Sequence, residues 1–311
     1  MSALAAQAAA SPRPRRPWWM RRDAIEGFLC ITPWLLGFIL FTAGPMIASL
    51  WLSLTDYEIL RPIHFIGFRN LSDAFSDKLF SKSLWNTAFY TVLYVPLHIA
   101  TAFVTALLLN ARIRGQGVYR VIFYVPSIMP SVASAFLWMW IFNPEYGLAN
   151  ALLHIFGLPP QKWIFDENLA KPSFVIMGLW GLGSSMIIFL AGLQGIDPVL
   201  YEAAAIDGAT WWSKFWSVTL PMMTPVLFFN LIMGIIGSFQ VFTTAFIATG
   251  GGPNNATLFY VLYIYRQGFE FAKMGYASTL AWVLFIIVLL VTLIQFWTAG
   301  TWVYYEAERK A

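Results

Sequence analysis

Residues 201–221 read YEAAAIDGATWWSKFWSVTLP and lie between two long apolar runs. A connector between membrane spans needs little character, yet this one carries helix signals, charges and five aromatic residues. Asp197 stands where an N-cap would begin a short helix, with Pro198 at its first position. Gly208 stands where a left-handed residue would end it. A second short helix is predicted from Thr210 through Trp211, Trp212, Phe215 and Trp216. Pro221 is expected to turn the chain into the next span. Two short helices around a glycine turn make a compact knob on a membrane face, a shape suited to touching another protein.

The surrounding composition sets the class. Of 311 residues, 59% are hydrophobic and 11% charged, with mean hydropathy +0.66; a soluble domain has roughly 25% charged residues. The expected fold is an all-α, polytopic membrane helical bundle. The single Cys30 excludes an intrachain disulfide. The pI is about 9.1, but the basic residues flank apolar runs instead of forming one patch. That pattern suits membrane orientation and not nucleic acid. Residues 1–23 open with an Ala-, Pro- and Arg-rich stretch without periodicity and are expected to be a disordered cytoplasmic tail. They are not read as a cleavable signal, because the first apolar run is too long and no small-residue cleavage site follows it. The membrane domain is assigned to 24–306 and a second cytoplasmic tail to 307–311.

A helix needs about 20 apolar residues to cross a bilayer. Six runs meet that length: 28–53, 84–111, 118–142, 173–193, 220–249 and 276–299. An even number puts both termini on one side. With that side inside, eleven Lys and Arg residues fall inside and eight outside. The short inner loop with Arg112, Arg114 and Arg120 and the stretch Arg13–Arg22 carry the densest positive charge, as cytoplasmic flanks do. The 201–221 loop is then cytoplasmic. The outer loops, roughly 54–83, 143–172 and 250–275, hold turn residues such as Gly250-Gly251-Gly252-Pro253-Asn254-Asn255.

No Asp, Glu, Lys or Arg lies deep in any of the six runs. Ionisable residues within spans mark ion paths and proton relays, so coupling to protons or sodium is not expected. His98, near Pro96, is read as a hydrogen-bonded packing residue. The polar groups of the spans are neutral, among them Ser184, Ser185, Asn230, Ser238, Gln240 and Gln295. Hydroxyls and amides beside aromatic rings suit a polyol; the same groups also tie helices together.

Glu202-Ala203-Ala204, three residues, Gly208, nine residues, then Val218-x-Leu220-Pro221 resembles the EAA loop of ATP-binding-cassette import permeases, whose form is EAA-x3-G-x9-I-x-LP. Every spacing matches, and Val218 in place of Ile is the one departure. Thr249-Gly-Gly-Gly-Pro253, Thr257, Tyr263-x-Tyr265, Phe269 and Gly275-Tyr276-Ala277-Ser278 resemble the carbohydrate-uptake branch, the maltose- and glycerol-phosphate-like permeases. So do Thr32-Pro33-Trp34, Gly44-Pro45 and Arg120-x3-Tyr124-Val-Pro126. The likeness runs from about residue 24 to about residue 306.

The resemblance implies a permease subunit paired with a sister permease, driven by two cytoplasmic ATPase subunits and supplied with sugar by an extracytoplasmic binding protein, in a bacterial or archaeal plasma membrane. No GxxxxGK[ST] phosphate loop is present, so ATP and Mg belong to the partner and no cofactor to this chain. Glu202, Ala203, Ala204, Asp207, Gly208, Leu220 and Pro221 would couple to the ATPase. By similarity to maltose-type permeases, the sugar pocket would involve Trp180, Gly181, Ser184, Gly234, Gly237, Ser238 and Val241, with Asn230 and Gln240 adding hydrogen bonds. Catalytic and metal sites are not expected. The competing readings are a glycerol-phosphate permease and, in another class, a passive facilitator.

Overall fold

The computed structural model describes residues 22–59, 61–111 and 114–304. The tail at 307–311 lies outside them, as does that at 1–23 except for Arg22 and Asp23, which open the first helix. The chain divides into two units, residues 1–51 and 52–311. In the first, α1 (Arg22–Phe38) passes through a π turn (Ile39–Ala43) into α2 (Gly44–Ser53), which reaches the boundary. Residues Glu26–Ser53 make one apolar helical run of 28 residues.

The second unit holds α3 (Arg69–Ser76), α4 (Lys78–Asn110), α5 (Gln116–Ile128), α6 (Ser131–Ile141), α7 (Leu148–Ile155), α8 (Ala170–Trp180), α9 (Gly183–Gln194), α10 (Pro198–Ile206), α11 (Trp211–Lys214), α12 (Leu220–Phe239), α13 (Thr243–Ala248), α14 (Tyr260–Tyr265) and α15 (Met274–Trp302). Four helical runs are long and apolar enough to cross a membrane, and six spans result when the bent pairs α5–α6 and α8–α9 are each counted once.

The expected runs at 118–142 and 173–193 are each broken into such a bent pair. The first pair turns by 101°. Pro130 has no N–H to continue α5, and it pushes Met129 out of the helical region, to φ −69° and ψ 139°. The second pair turns by 51° at Gly181 and Leu182.

α4, about 50 Å long at 1.5 Å per residue, is the spine of this unit. Its first half joins a cluster with Phe174, Phe259, Tyr260 and Leu280. Its second half, through Ala102, Phe103, Ala106 and Leu109, joins another with Met186, Phe189, Leu193 and Met223. In a bilayer, apolar burial between helices adds little, because lipid tails are equally apolar; close packing carries the association. Gly183 shows how close it is: a Cβ there would lie 2.5 Å from the Phe123 carbonyl oxygen. At the Lys78 end of α4, polar bonds fasten the loops packed there. Lys82 Nζ donates to Asn254 O at 2.6 Å and Asn86 Nδ2 to Asn255 O at 2.9 Å. Tyr263 and Tyr276 both donate to Asp77 Oδ2. Burial, with the Asp77 carboxylate beside it, holds the Tyr263 phenol far above its ordinary pKa.

Candidate functional site

The 201–221 segment folds from its own signals. Asp197 Oδ1 accepts from Val199 N at 2.9 Å, and Pro198 occupies the first turn of α10. The helix stops at Gly208, with φ +77°. There Gly208 N donates to Ala205 O at 3.0 Å and Ala209 N to Ala204 O at 2.9 Å. These two bonds satisfy carbonyls the helix end would otherwise orphan, in the Schellman pattern. A side chain at 208 would meet no atom within 4 Å, so its backbone conformation, not crowding, demands glycine. Thr210 Oγ1 caps α11 by accepting from Ser213 N at 3.3 Å.

Past α11 the structure departs from expectation. Pro221 does not turn the chain. Residues 211–239 are helical without a break, through a π turn at Phe215–Thr219 in which Leu220 N donates to Phe215 O. Proline at 221 lacks a donor, and its ring crowds the carbonyl four residues back; a wider turn just before it keeps the helix continuous. Sequence patterning missed this because an internal proline reads as a boundary.

The knob has two faces. Glu202, Ala203, Asp207 and Gly208 are exposed, and Ala204 is half-buried. Ile206 (87% exposed), Trp211 and Trp212 stand out with them. Behind, Leu200, Tyr201, Phe215, Val218 and Leu220 pack on the cluster at the far end of α4, and Pro221 is half-buried. One face of the knob is thus tied to the spans while the other is exposed.

Near the middle of α4 lies a cavity of about 340 Å³. The bent α8–α9 pair gives it Gly181, Ser184 and Ser185, and α12 with its C-terminal extension gives Asn230, Met233, Gly234, Gly237, Ser238 and Val241. Helix α4 closes it with Tyr90, Tyr94 and His98. Among the described residues no charged side chain lines it. The structure therefore brings together Gly181, Ser184, Gly237, Ser238 and Val241. It does not bring Trp180 or Gln240 to the wall. Trp180 turns its ring edge-on to Trp138, at 5.8 Å between centroids, and Gln240 lies exposed just past the end of α12. Ser238 Oγ donates to Thr91 Oγ1 at 2.9 Å, which ties α12 to α4. Asn230 Nδ2 donates to Val226 O at 2.9 Å.

Sequence reasoning left α4 out of the site. Tyr90, Tyr94 and His98 stand four residues apart, on one helix face, and that spacing was the signal available. His98 is hydrogen-bonded as expected, to Tyr94 and Ser185, and it also faces the cavity. No group of His, Cys, Asp or Glu among the described residues could hold a metal ion.

Residues 83–299 match the family described as binding-protein-dependent transport system inner membrane component. The chain belongs to that family. As a permease component, it is a multi-pass membrane protein that serves transport. It is 41% identical, over 94% of its length and 96% of the relative's, to the probable ABC transporter permease protein YesP of Bacillus subtilis (strain 168). To the trehalose/maltose transport system permease protein MalF of Thermococcus litoralis it is 34% identical, over 88% and 93%. Its fold matches a chain in a crystal structure of a bacterial alginate ABC transporter in complex with an alginate pentasaccharide-bound periplasmic protein. There the TM-score is 0.81 at 23% identity, covering 92% of this chain and 97% of that one.

Proposed function

We propose that this permease forms half of the transmembrane path of an ATP-driven importer for a sugar or oligosaccharide. The carrying observation is the cavity near the middle of α4, walled by hydroxyls, an amide, an imidazole and tyrosine rings without a charge. Such a wall exchanges hydrogen bonds with hydroxyls and offers apolar faces to a sugar ring. A phosphate-bearing cargo finds no Lys or Arg there to replace its water, and desolvating an unpaired anion is costly.

The remaining parts follow from this reading. A sister permease closes the other side of the path. An extracytoplasmic binding protein presents sugar at the end of α4 that begins with Lys78. Two ATPase subunits, which hold ATP and Mg, grip the knob of Glu202, Ala203, Ala204, Asp207 and Gly208 at the cytoplasmic end. Leu220 and Pro221 pass their movement to α12. Both termini are cytoplasmic, in a bacterial or archaeal plasma membrane. ATP-driven closure of the ATPase pair moves the knob, the spans carry that motion across about 30 Å of hydrocarbon, and the cavity opens alternately to each side.

The test is reconstitution. Complexes purified from native membranes by a tag on this chain should contain a nucleotide hydrolase. In proteoliposomes they should accumulate labelled sugar only with ATP and the binding protein. Complexes without a hydrolase, or equal accumulation without ATP, would leave a passive facilitator as the better reading.

A further inference from the structure

We propose that Tyr94, His98 and Ser185 form a cargo-reading wall of the cavity, one that recognises sugar hydroxyls through a neutral hydrogen-bond relay. This rests on the sugar-permease reading and names side chains on α4 that the pocket implied by the maltose-type resemblance does not include.

Tyr94 Oη lies 3.1 Å from His98 Nδ1, and His98 Nε2 lies 3.1 Å from Ser185 Oγ. A neutral imidazole donates from one nitrogen and accepts at the other. In one direction Tyr94 donates to Nδ1 and Nε2–H donates to Ser185, whose own proton is then free. In the other, Ser185 donates to Nε2 and Nδ1–H donates to Tyr94, whose proton is then free. Either way the relay presents one hydroxyl with a spare proton and one with spare lone pairs only. A shift of the imidazole tautomer exchanges the two. A sugar hydroxyl, itself both donor and acceptor, fits each form, whereas an ammonium or carboxylate fits only half of each.

The wall is held in place before any cargo arrives. The Tyr90 and Tyr94 rings stack at 5.1 Å between centroids and 7° between planes. They press onto Gly178 of α8, where a Cβ would lie 2.6 Å from Tyr94 Cε2 and 2.9 Å from Tyr90 Oη. The relay also bridges α4 and α9, so cargo bonded to it touches two spans at once. A bond made to one span in one state and broken in the other would let the cavity distinguish loaded from empty.

The experiment uses native cells lacking the chromosomal copy and complemented with the full chain. Uptake is measured with a panel of radiolabelled uncharged mono-, di- and trisaccharides, and assembled complex is counted by tag pull-down. In Tyr94→Phe and Ser185→Ala, saturating uptake should fall about tenfold, the effect of one lost hydrogen bond at a half-buried site, with complex level retained. The ranking of sugars should also change. His98→Gln, which keeps a donor and an acceptor, should retain more uptake than His98→Leu. Unchanged uptake and ranking in both hydroxyl variants overturn the proposal. So does uptake that falls only in step with complex level, which would make the relay a helix tie alone. Wild-type cells that take up no uncharged sugar defeat the sugar reading, and the proposal with it.

Discussion

The Tyr201 hydroxyl lies 3.1 Å from Thr219 Oγ1, which in turn donates to the Lys214 carbonyl at 3.4 Å. The first residue belongs to α10 and the second to the π turn that leads into α12. The bond therefore joins the outgoing limb of the knob to the returning one, at a place where Thr219 is buried. A push on the tip reaches α12 without slack only while the limbs stay joined. Tyr201→Phe and Thr219→Val should each lower the stability of the purified complex by ~1 kcal/mol. The double variant should be little worse than either single one, since the two share a bond. Thermal unfolding of all four proteins checks this; additive losses would show that the contact carries nothing.

Gly208 separates conformation from crowding. Its φ of +77° disfavours any other residue, while the space around its would-be Cβ is empty. Asn tolerates the left-handed region better than a β-branched residue does. Gly208→Val should abolish ATP-driven uptake with membrane level intact. Gly208→Asn should keep a measurable part of it. If Val transported as well as glycine, the turn would not be what the ATPase grips.

These two residues show how much was legible. Caps and turns are local chemistry, so Asp197, Gly208 and Thr210 could be placed from the sequence, and apolar run length gave the six spans. Bends and walls are tertiary. Nothing in the run 118–142 distinguishes a kink at Pro130 from a 101° turn, because what settles it is the packing of α5 against α9. Likewise, whether Trp180 faces a cavity or Trp138 depends on the break at Gly181. The α4 wall escaped because tyrosines and a histidine within an apolar helix also serve packing, and here they do both.

Gly178 offers a packing test. A Cβ at this position would strike both stacked tyrosine rings, and overpacking typically costs ~1–3 kcal/mol. Gly178→Ala should lower the thermal stability of the complex. Joining it with Tyr94→Leu, which removes the nearest ring, should recover part of the loss. No loss in the single variant would mean that the rings move freely and do not form a fixed surface.

Gly237 permits the converse test. It lines the cavity, and a Cβ there would meet nothing within 4 Å, so a side chain at this position starts into open space. Within a span, replacing glycine also favours the helix slightly, by up to ~1 kcal/mol. Gly237→Trp should therefore fold, insert and assemble as the natural chain does, yet fill the space that cargo needs. Sugar uptake should fall by about tenfold or more, as expected when roughly 1.4 kcal/mol of transition-state or binding energy is lost, while the complex still hydrolyses ATP. Gly237→Ala, which adds one methyl group, should give an intermediate rate. Parallel measurement of uptake and hydrolysis on the same preparation decides the matter. Undiminished transport in the Trp variant would place the cargo path elsewhere, whereas joint loss of hydrolysis and assembly would show that this face of α12 packs against a partner instead of sugar.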